Sequence, residues 1–261
     1  MPTWQPDQYL QFEEERTRPC RDLVAQIRVE DARTVIDLGC GPGNSTAVLA
    51  ERWPAARITG LDSSAQMLER ARQSDARHEW IQAEIADWSN SAHAEYDVVF
   101  SNAALHWVTD HAAVYPRLFA RVAEGGALAI QVPANLDEPA HRIMRDLAAS
   151  PQWRDRFPKA RVREWFVHDR SFYYDLLAPA GARSIGLWET TYIHVMPGAE
   201  SIAEWYRATG MRPFLDALAS DADREQFMKD YTEAIRAEYR PRPDGRILFP
   251  FRRLFLVANR T

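Results

Sequence analysis

Strand-like and helix-like patterns of apolar residues alternate along the first 130 residues. Short runs rich in Val, Ile and Leu indicate buried strands, and the stretches between them carry apolar residues at helical spacing. The predicted strands span 34–38, 57–61, 79–82, 96–101 and 126–132. The predicted helices span 8–27, 45–52 and 112–123, with a further helix beginning after Ser63 or Ser64. Five strands with helical crossovers predict a doubly wound, parallel α/β sheet.

The regular alternation ends at Pro133. Four prolines between positions 133 and 158, and many aromatic residues up to 174, predict an irregular helical segment. Strand patterns return at 185–195 and 253–259, and helices are predicted near 200–208, 213–219 and 221–239, the last with a capping box at Ser220. The predicted organisation is a core with an N-terminal helix over 1–133, cap segments over 134–182 and 198–250, and core strands over 183–197 and 251–261.

The composition is that of an ordinary globular protein, with 46% hydrophobic and 26% charged residues, which excludes disorder. The net charge of −5 argues against nucleic-acid binding, because phosphate binding needs a positive surface. No apolar run approaches membrane length and the start has no leader pattern, so a soluble, cytoplasmic protein without a membrane partner is expected. Two cysteines and seven scattered histidines predict neither a disulfide framework nor a metal site. A small-molecule partner is therefore expected; the oligomeric state is left open.

A glycine-rich loop follows the first predicted strand and precedes a helix. Gly39, Gly41 and Gly43 let the backbone approach a ligand closely. The dinucleotide fingerprint needs a glycine at position 44, where this chain has asparagine, so the spacing argues against a nicotinamide cofactor. Two acids complete the pattern: Asp37 precedes the first glycine by two residues, and Asp62 ends the next strand.

This combination resembles motif I and the following acidic position of class I methyltransferases that use S-adenosylmethionine. The resemblance implies a Rossmann-like sheet with a helical cap inserted around the last strands. It also implies that Asp62 accepts hydrogen bonds from the ribose and that Glu84, or alternatively Asp87, accepts from the adenine amino group. The implied cofactor-binding residues are Tyr9, Phe12, Asp37, Gly39, Gly41, Gly43, Asp62, Ser63, Met67, Glu84, Ile85, Asn102 and Ala103. Alternative roles are a turn brace for Asp37 and a helix cap for Asp62.

Along nearly its whole length the chain resembles the trans-aconitate methyltransferase family. The resemblance is carried most specifically by residues 4–19 and by the Ala-Thr-Gly-Met-Arg-Pro segment at 208–213, and it includes residues 37–45 and 53–60. It implies transfer of the methyl group of S-adenosylmethionine to one carboxylate of trans-aconitate, giving a monomethyl ester and S-adenosylhomocysteine.

The chemistry of this reaction explains which residue types the site needs. A carboxylate with a pKa of about 4 is ionised at neutral pH, so no general base is required. The site must instead orient the reactants and hold the remaining carboxylates with arginine, tyrosine and histidine donors. The expected substrate-positioning residues are His106, Tyr173, Tyr174, Tyr192, His194, Arg207, Arg212 and Arg253. Arg212 is the first choice, although each cap arginine is at least equally compatible with a surface ion pair, and only one of the adjacent tyrosines is expected to face inward.

Three alternatives stay open at the level of sequence. The substrate could be another small carboxylic acid or one bound to a carrier protein. The chain could also be a nicotinamide oxidoreductase, or a protein that binds S-adenosylmethionine without turnover. Titration with each cofactor and the fate of a labelled methyl group distinguish these functions.

Overall fold

Seven strands form a single sheet in the computed structural model, which describes residues 13–91, 94–157 and 165–261. The strands are β1 (Thr34–Leu38), β2 (Arg57–Asp62), β3 (Glu79–Gln82), β4 (Tyr96–Asn102), β5 (Val122–Pro133), β6 (Ala182–Met196) and β7 (Ile247–Arg260). Their order across the sheet is β3-β2-β1-β4-β5-β7-β6. Strands β1 to β5 run parallel, whereas β7 is antiparallel to β5. The chain therefore has the mixed, doubly wound sheet of the predicted class.

Ten α-helices are present in the described part of the chain. They are α1 (Glu13–Val24), α2 (Asn44–Arg52), α3 (Ala65–Ser74), α4 (Ile85–Asn90), α5 (His111–Phe119), α6 (Pro139–Ala149), α7 (Arg170–Leu177), α8 (Ala199–Arg207), α9 (Arg212–Ala217) and α10 (Asp221–Glu238). The Ser64 hydroxyl caps α3 by accepting from the Met67 N–H, as predicted. At α10 the Ser220 hydroxyl accepts from the Asp223 N–H, which confirms Ser220 as the N-cap. The Asp223 carboxylate accepts from the Ser220 hydroxyl, whereas in a capping box it would accept from the Ser220 N–H.

The chain divides into two compact units. Among the described residues, the sheet unit comprises 13–91, 94–133, 166–190 and 253–261, and the helical unit comprises 134–157, 165 and 191–252. Helix α7 thus belongs to the sheet unit, although the sequence places it in a cap segment. Residues 191–197 of the predicted core strand 183–197 likewise lie in the helical unit. As a whole, the division into core and cap segments stays a prediction. No helix in the described ranges is long and apolar enough to cross a membrane.

Each unit has its own apolar interior. In the sheet unit, β1, β4 and β5 are apolar on both faces because helices cover the parallel sheet on both sides, and Val35, Val99 and Leu128 are fully buried. The interior of the helical unit is rich in aromatic side chains. It includes Trp153, Trp205, Tyr206, Phe227, Tyr231 and Phe249.

Several predicted element boundaries are wrong. The helix predicted over 112–123 ends at Phe119, because the following residues pair with β4: the Tyr96 N–H donates to the Arg121 carbonyl, and β5 starts at Val122. Strands β6 and β7 extend beyond the predicted 185–195 and 253–259, so ladder pairing prevails over local pattern. The helix predicted over 8–27 ends at Val24, and its first five residues lie outside the described ranges.

Candidate functional site

The glycine loop lies at the carboxyl end of β1 and is tied to β2. The backbone N–H groups of Gly39 and Cys40 both donate to the Leu61 carbonyl, at 2.7 and 3.0 Å. Gly39 has a φ of +74°, and a Cβ at this position would lie 2.1 Å from the Cβ of Ala104. Any side chain at Gly39 would therefore clash with the loop after β4 as well as strain the backbone.

Asp62 connects the glycine loop to the start of α3. Its Oδ2 accepts from the Gly41 N–H at 2.9 Å, and its Oδ1 accepts from the Ser64 N–H at 2.8 Å. Burial raises the pKa of this carboxyl, the two N–H donors oppose the rise, and the nearby charge of Glu84 adds to it. A carboxylate offers about four acceptor positions, so each oxygen keeps one for a ligand hydroxyl. The helix cap itself is Ser64, so the helix-cap alternative for Asp62 is wrong, and the contacts of Asp62 are chemically compatible with the predicted ribose role.

Gly41 borders open space beside the loop. Its φ is +54°, and a Cβ built there would meet no atom within 4 Å. The peptide N–H of this residue is held by Asp62. A bare backbone next to an oriented carboxylate is the arrangement that allows a ligand to pack closely against the loop.

Asp37 is buried beneath the loop and braces it. Its Oδ2 accepts from the hydroxyls of Ser45 and Thr46, both at 2.7 Å, in the first turns of α2. Burial raises the pKa of Asp37 to about 6, against the opposing effect of these two hydroxyls. Its Oδ1 is buried and meets no hydrogen-bond donor within the described ranges. These contacts match the turn-brace alternative, and a direct cofactor contact of Asp37 stays a prediction.

Trp80 on β3 packs against the glycine loop, a contact that the sequence did not predict. A Cβ at Gly60 would lie 2.4 Å from its indole, and one at Gly43 would lie 3.2 Å away. The Trp80 Nε1–H donates to the Asp75 carbonyl at 3.1 Å, which fixes the ring in this position. A glycine in the middle of a strand, as at Gly60, is the sequence signal for such a close approach.

The carboxyl end of β4 carries local strain and an unsatisfied amide. Ala103 has a φ of 55° and is the only non-glycine residue with a positive φ in the described part of the chain. Its N–H donates to the Gln131 carbonyl at 2.8 Å. The Oδ1 of Asn102 is buried without a hydrogen-bond partner among the described residues. Strain and unsatisfied polar atoms are typical of ligand-binding positions.

Most of the other predicted cofactor residues lie around the same strand ends. Glu84 immediately precedes α4 in extended conformation, and Ile85 is buried 3.7 Å from the position of a Cβ on Gly39. Met67 is buried on α3, and the Ser63 carbonyl accepts from the Gln82 side chain at 3.3 Å. Tyr9 and Phe12 lie outside the described residues. The rival acid Asp87 is in the first turn of α4.

Tyr173 and Tyr174 on α7 behave differently, as predicted for adjacent residues. Tyr173 is 1% exposed, whereas Tyr174 is 52% exposed. The Tyr173 hydroxyl accepts from the His168 N–H at 3.1 Å and lies 3.0 Å from His111 Nδ1. Burial lowers the pKa of His111, so its ring is neutral. Because His111 Nε2 must donate to the Leu105 carbonyl at 2.9 Å, Nδ1 accepts from the tyrosine, and the Tyr173 hydroxyl is engaged inside the sheet unit.

Two further predicted substrate residues are buried in the sheet unit. His106 lies in a 3₁₀ turn after β4, where its carbonyl accepts from the Phe166 N–H at 2.8 Å. Arg253 is opposite Pro133 in the β5–β7 ladder, and its Nη1 donates to Gln131 Oε1 at 3.2 Å. Gln131, which the sequence analysis missed, is completely buried, and its Nε2 has no hydrogen-bond partner in the described ranges.

The remaining predicted substrate residues belong to the helical unit. Tyr192 and His194 are buried, and the His194 ring packs at 4.9 Å from Trp205. Arg207 forms an exposed ion pair with Glu204 at 3.2 Å. Arg212 is mostly buried, and its Nε lies 3.5 Å from Asp216 Oδ1. The alternative of a surface ion pair therefore applies to Arg207, whereas Arg212 lies one helical turn from its acidic neighbour Asp216.

Comparison with known proteins gives both a domain and full-length relatives. Residues 35–126 match the family described as "Methyltransferase domain". The chain is 51% identical over 260 residues to the trans-aconitate 2-methyltransferase of Azoarcus sp. (strain BH72), covering 100% of each chain. It is 46% identical over 261 residues to the protein of the same name from Paracidovorax citrulli (strain AAC00-1), again covering 100% of each.

The fold is also similar to that of a solved methyltransferase. Phosphoethanolamine N-methyltransferase 2 of Haemonchus contortus, in complex with phosphomonomethylethanolamine and S-adenosylhomocysteine, superposes with a TM-score of 0.56. The match covers 94% of this chain and 53% of that chain at 14% identity. At this identity the similarity shows the fold alone.

Proposed function

Because the chain belongs to the trans-aconitate 2-methyltransferase family, we propose that it transfers a methyl group from S-adenosylmethionine to one carboxylate of trans-aconitate. The products are a monomethyl ester and S-adenosylhomocysteine. The observation that carries the proposal is the 51% identity over the complete length of both chains. The chain is a methyltransferase that depends on S-adenosylmethionine, and the identity of the acid is the part that needs a test.

The residues at the strand ends fit S-adenosylmethionine. Gly41 leaves open space beside the loop, and the Asp62 oxygens each keep an acceptor position. Glu84 supplies a second carboxylate close to Asp62. The buried Oδ1 of Asn102 is an unsatisfied acceptor at the neighbouring strand end. These residues would hold the cofactor, which when bound supplies an electrophilic methyl group on a sulfonium.

The side chains need not remove a proton during the reaction. A substrate carboxylate is already ionised at neutral pH, so a lone pair on its oxygen forms the new C–O bond as the bond from carbon to sulfur breaks. What the protein must do is orient the two groups in line and exclude water. The acids near the loop, Asp62 and Glu84, repel a polyanionic substrate, so its other carboxylates need separate cationic or hydrogen-bonding partners.

We retain His106, Tyr192, His194, Arg212 and Arg253 as proposed substrate-positioning residues. Support for Arg212 and Arg253 comes from their burial, since a mostly desolvated guanidinium binds a carboxylate strongly. Arg207, Tyr173 and Tyr174 have weaker support. Their contacts are a surface ion pair, an internal hydrogen-bond network and an exposed position, respectively.

The substrate test is a product analysis with a panel of acids. The full chain is incubated with labelled S-adenosylmethionine and with trans-aconitate, cis-aconitate, citrate, a monocarboxylate and an acyl carrier protein, and product masses are read. The expected result is a single methyl ester formed preferentially from trans-aconitate. Preference for the carrier-bound acid would favour the alternative substrate, and retention of all label on the cofactor would favour a binding protein without turnover. A cytoplasmic location stays a prediction.

A further inference from the structure

A group of buried polar side chains lies inside the helical unit, and none of its members is among the proposed cofactor- or substrate-binding residues. Asn135 follows β5, His141 and Arg145 lie on α6, and Tyr206 lies on α8. Asn135, His141 and Tyr206 are 1%, 4% and 0% exposed, respectively. Polar side chains as deeply buried as these are normally fully hydrogen-bonded.

The four side chains form one connected group. Asn135 Nδ2 donates to the Tyr206 hydroxyl at 3.0 Å, and the rings of Tyr206 and His141 are 6.0 Å apart. His141 and Arg145 are four residues apart and share one face of α6. Arg145 Nη2 donates to the Leu136 carbonyl at 2.6 Å, beside Asn135 in sequence, which holds its guanidinium over the start of the helix.

Three atoms of this group remain without a partner. They are Asn135 Oδ1, His141 Nδ1 and Arg145 Nε, each buried and without a hydrogen bond to any described residue. One unsatisfied atom can be a local defect, but three on neighbouring side chains indicate that a polar group completes the cluster. We therefore propose that Asn135, His141, Arg145 and Tyr206 form a binding site for a non-reacting carboxylate of the substrate, an inference that rests on the proposed function.

A carboxylate suits the donors of this site. Arg145 brings a permanent positive charge, and burial together with that charge lowers the pKa of His141 to about 3, so the ring is neutral and carries one N–H. The Tyr206 hydroxyl can accept from Nδ2 or donate to Oδ1, so the Asn135 amide can turn its N–H groups towards an anion. Two acids lie near the cluster. The charge of Glu138 adds to the rise that burial causes in the pKa of Tyr206, and the charge of Arg145 adds to the fall that Arg252 causes in the pKa of Asp137. Arg252 pairs with Asp137 and lies 3.9 Å from Glu138, so both acids have another cationic partner.

The site also gives a structural reason for the family-specific segment at 208–213. A Cβ at Gly210 would lie 2.8 Å from the Trp165 ring, and Trp165 packs at 4.8 Å from His141. The glycine thus allows Trp165 to cover the histidine. This segment contributes to the site through the small size of Gly210, independently of Arg212.

The experiment measures carboxylate binding directly, with the full chain saturated with S-adenosylhomocysteine. Trans-aconitate and tricarballylate are titrated calorimetrically into wild type, Asn135→Asp and His141→Phe, and KM and kcat are measured with S-adenosylmethionine. We expect each variant to raise the Kd for both tricarboxylates about 10- to 100-fold, because charge-assisted bonds are lost or opposed. KM should rise with Kd, while the affinity for S-adenosylhomocysteine stays within about twofold.

Asn259→Asp is the matched control, since it makes the same chemical change at a position in the sheet unit where the amide donates to Ser184 Oγ at 2.9 Å. It should leave both tricarboxylate affinities unchanged. His141→Gln keeps a neutral N–H donor and should recover most of the affinity lost in His141→Phe, and this pair keeps the test valid if Asn135→Asp does not fold.

Two results would overturn the inference: an unchanged Kd for tricarboxylates in both folded variants, or an equal loss for a monocarboxylate of similar shape. The first result would mean that buried water completes the cluster. The second would mean that the substitutions disturb the site as a whole and that the cluster does not bind a non-reacting carboxylate. Failure of the proposed function is distinguishable, because wild type would then not methylate trans-aconitate. The tricarballylate titrations would still show whether these residues bind a carboxylate.

Discussion

Replacing Asp62 with asparagine tests the cofactor site most sharply, because the structure gives this carboxylate two separable tasks. Its two oxygens each accept one backbone N–H, from Gly41 and from Ser64. Asparagine has a single acceptor oxygen, so one of these bonds is lost and an NH₂ group faces an N–H. We expect the free energy of unfolding to fall by about 1 to 2 kcal/mol, the cost of one unsatisfied backbone donor.

The same substitution removes the charge that would strengthen hydrogen bonds from the ribose. A charge-assisted hydrogen bond contributes about 1.5 to 3 kcal/mol, so the Kd for S-adenosylhomocysteine should rise roughly 10- to 100-fold. Isothermal titration measures this change, and urea unfolding of the ligand-free protein measures stability.

Asp97→Asn provides the matched control at the opposite end of the parallel strands. Its carboxylate also accepts two backbone N–H groups, from Arg33 and Thr34 at 2.7 and 2.9 Å, but both bonds go to Oδ2. Asparagine can therefore keep both, and cofactor affinity should not change. If Asp62→Asn binds S-adenosylhomocysteine within about twofold of wild type while remaining folded, Asp62 serves only the loop and helix, and its assignment as a ribose acceptor is wrong.

Four further predictions address other parts of the site. Because burial raises the pKa of Asp37 to about 6 from 3.8 in the unfolded chain, the folded state binds its proton more tightly, and stability should fall by up to about 3 kcal/mol as pH rises from 4 to 6. Urea unfolding should show this fall in wild type relative to Asp37→Asn, and equal slopes for the two proteins would contradict it. Gly60→Ala places a methyl 2.4 Å from Trp80 and should cost about 1 to 3 kcal/mol in the same assay, with partial recovery when Trp80 is also made Leu; an unchanged midpoint would refute the contact. Arg212→Ala should weaken transition-state binding of trans-aconitate by about 2 to 5 kcal/mol, measured from kcat/KM, and should affect a monocarboxylate much less. Arg207→Ala should change kcat/KM for neither acid. Equal losses for both acids in Arg212→Ala would mean that Arg212 does not bind the substrate. Single-turnover rates with saturating ligands should be flat from pH 6.5 to about 9, since the nucleophile is already ionised, and a tenfold rise per pH unit would indicate a general base.

Local sequence determined the first four strands of the sheet unit closely. The bounds of β1 and β3 agree with their predicted ranges, and β2 and β4 differ by one residue, because short β-branched runs between turn residues encode buried strands within a few neighbouring positions. The role of the loop glycines could also be predicted from the sequence. Positive φ at Gly39, Gly41 and Gly43 is a property of each residue's own backbone, for which glycine is the default choice.

Contacts between residues that are distant in sequence could not be predicted in the same way. The sequence offered two roles for Asp37, and only the fold brings Ser45 and Thr46 to its Oδ2 while burying the carboxyl. For Tyr173 and Tyr174, adjacency predicted that one faces inward, but packing against His111 decided which. The antiparallel direction of β7 likewise follows from its pairing with β5, which local pattern does not encode.

The buried cluster of the helical unit shows the same division most clearly. In the sequence, Asn135 and His141 are ordinary polar residues in a proline-rich stretch, and Tyr206 lies 65 positions further along. Their chemistry arises because folding removes water from all three at once and leaves the Asn135 Oδ1 and the His141 Nδ1 unsatisfied. Burial and the pairing of distant side chains depend on the whole packed unit, so tertiary structure decided them, whereas backbone conformation and strand identity were set by neighbouring residues.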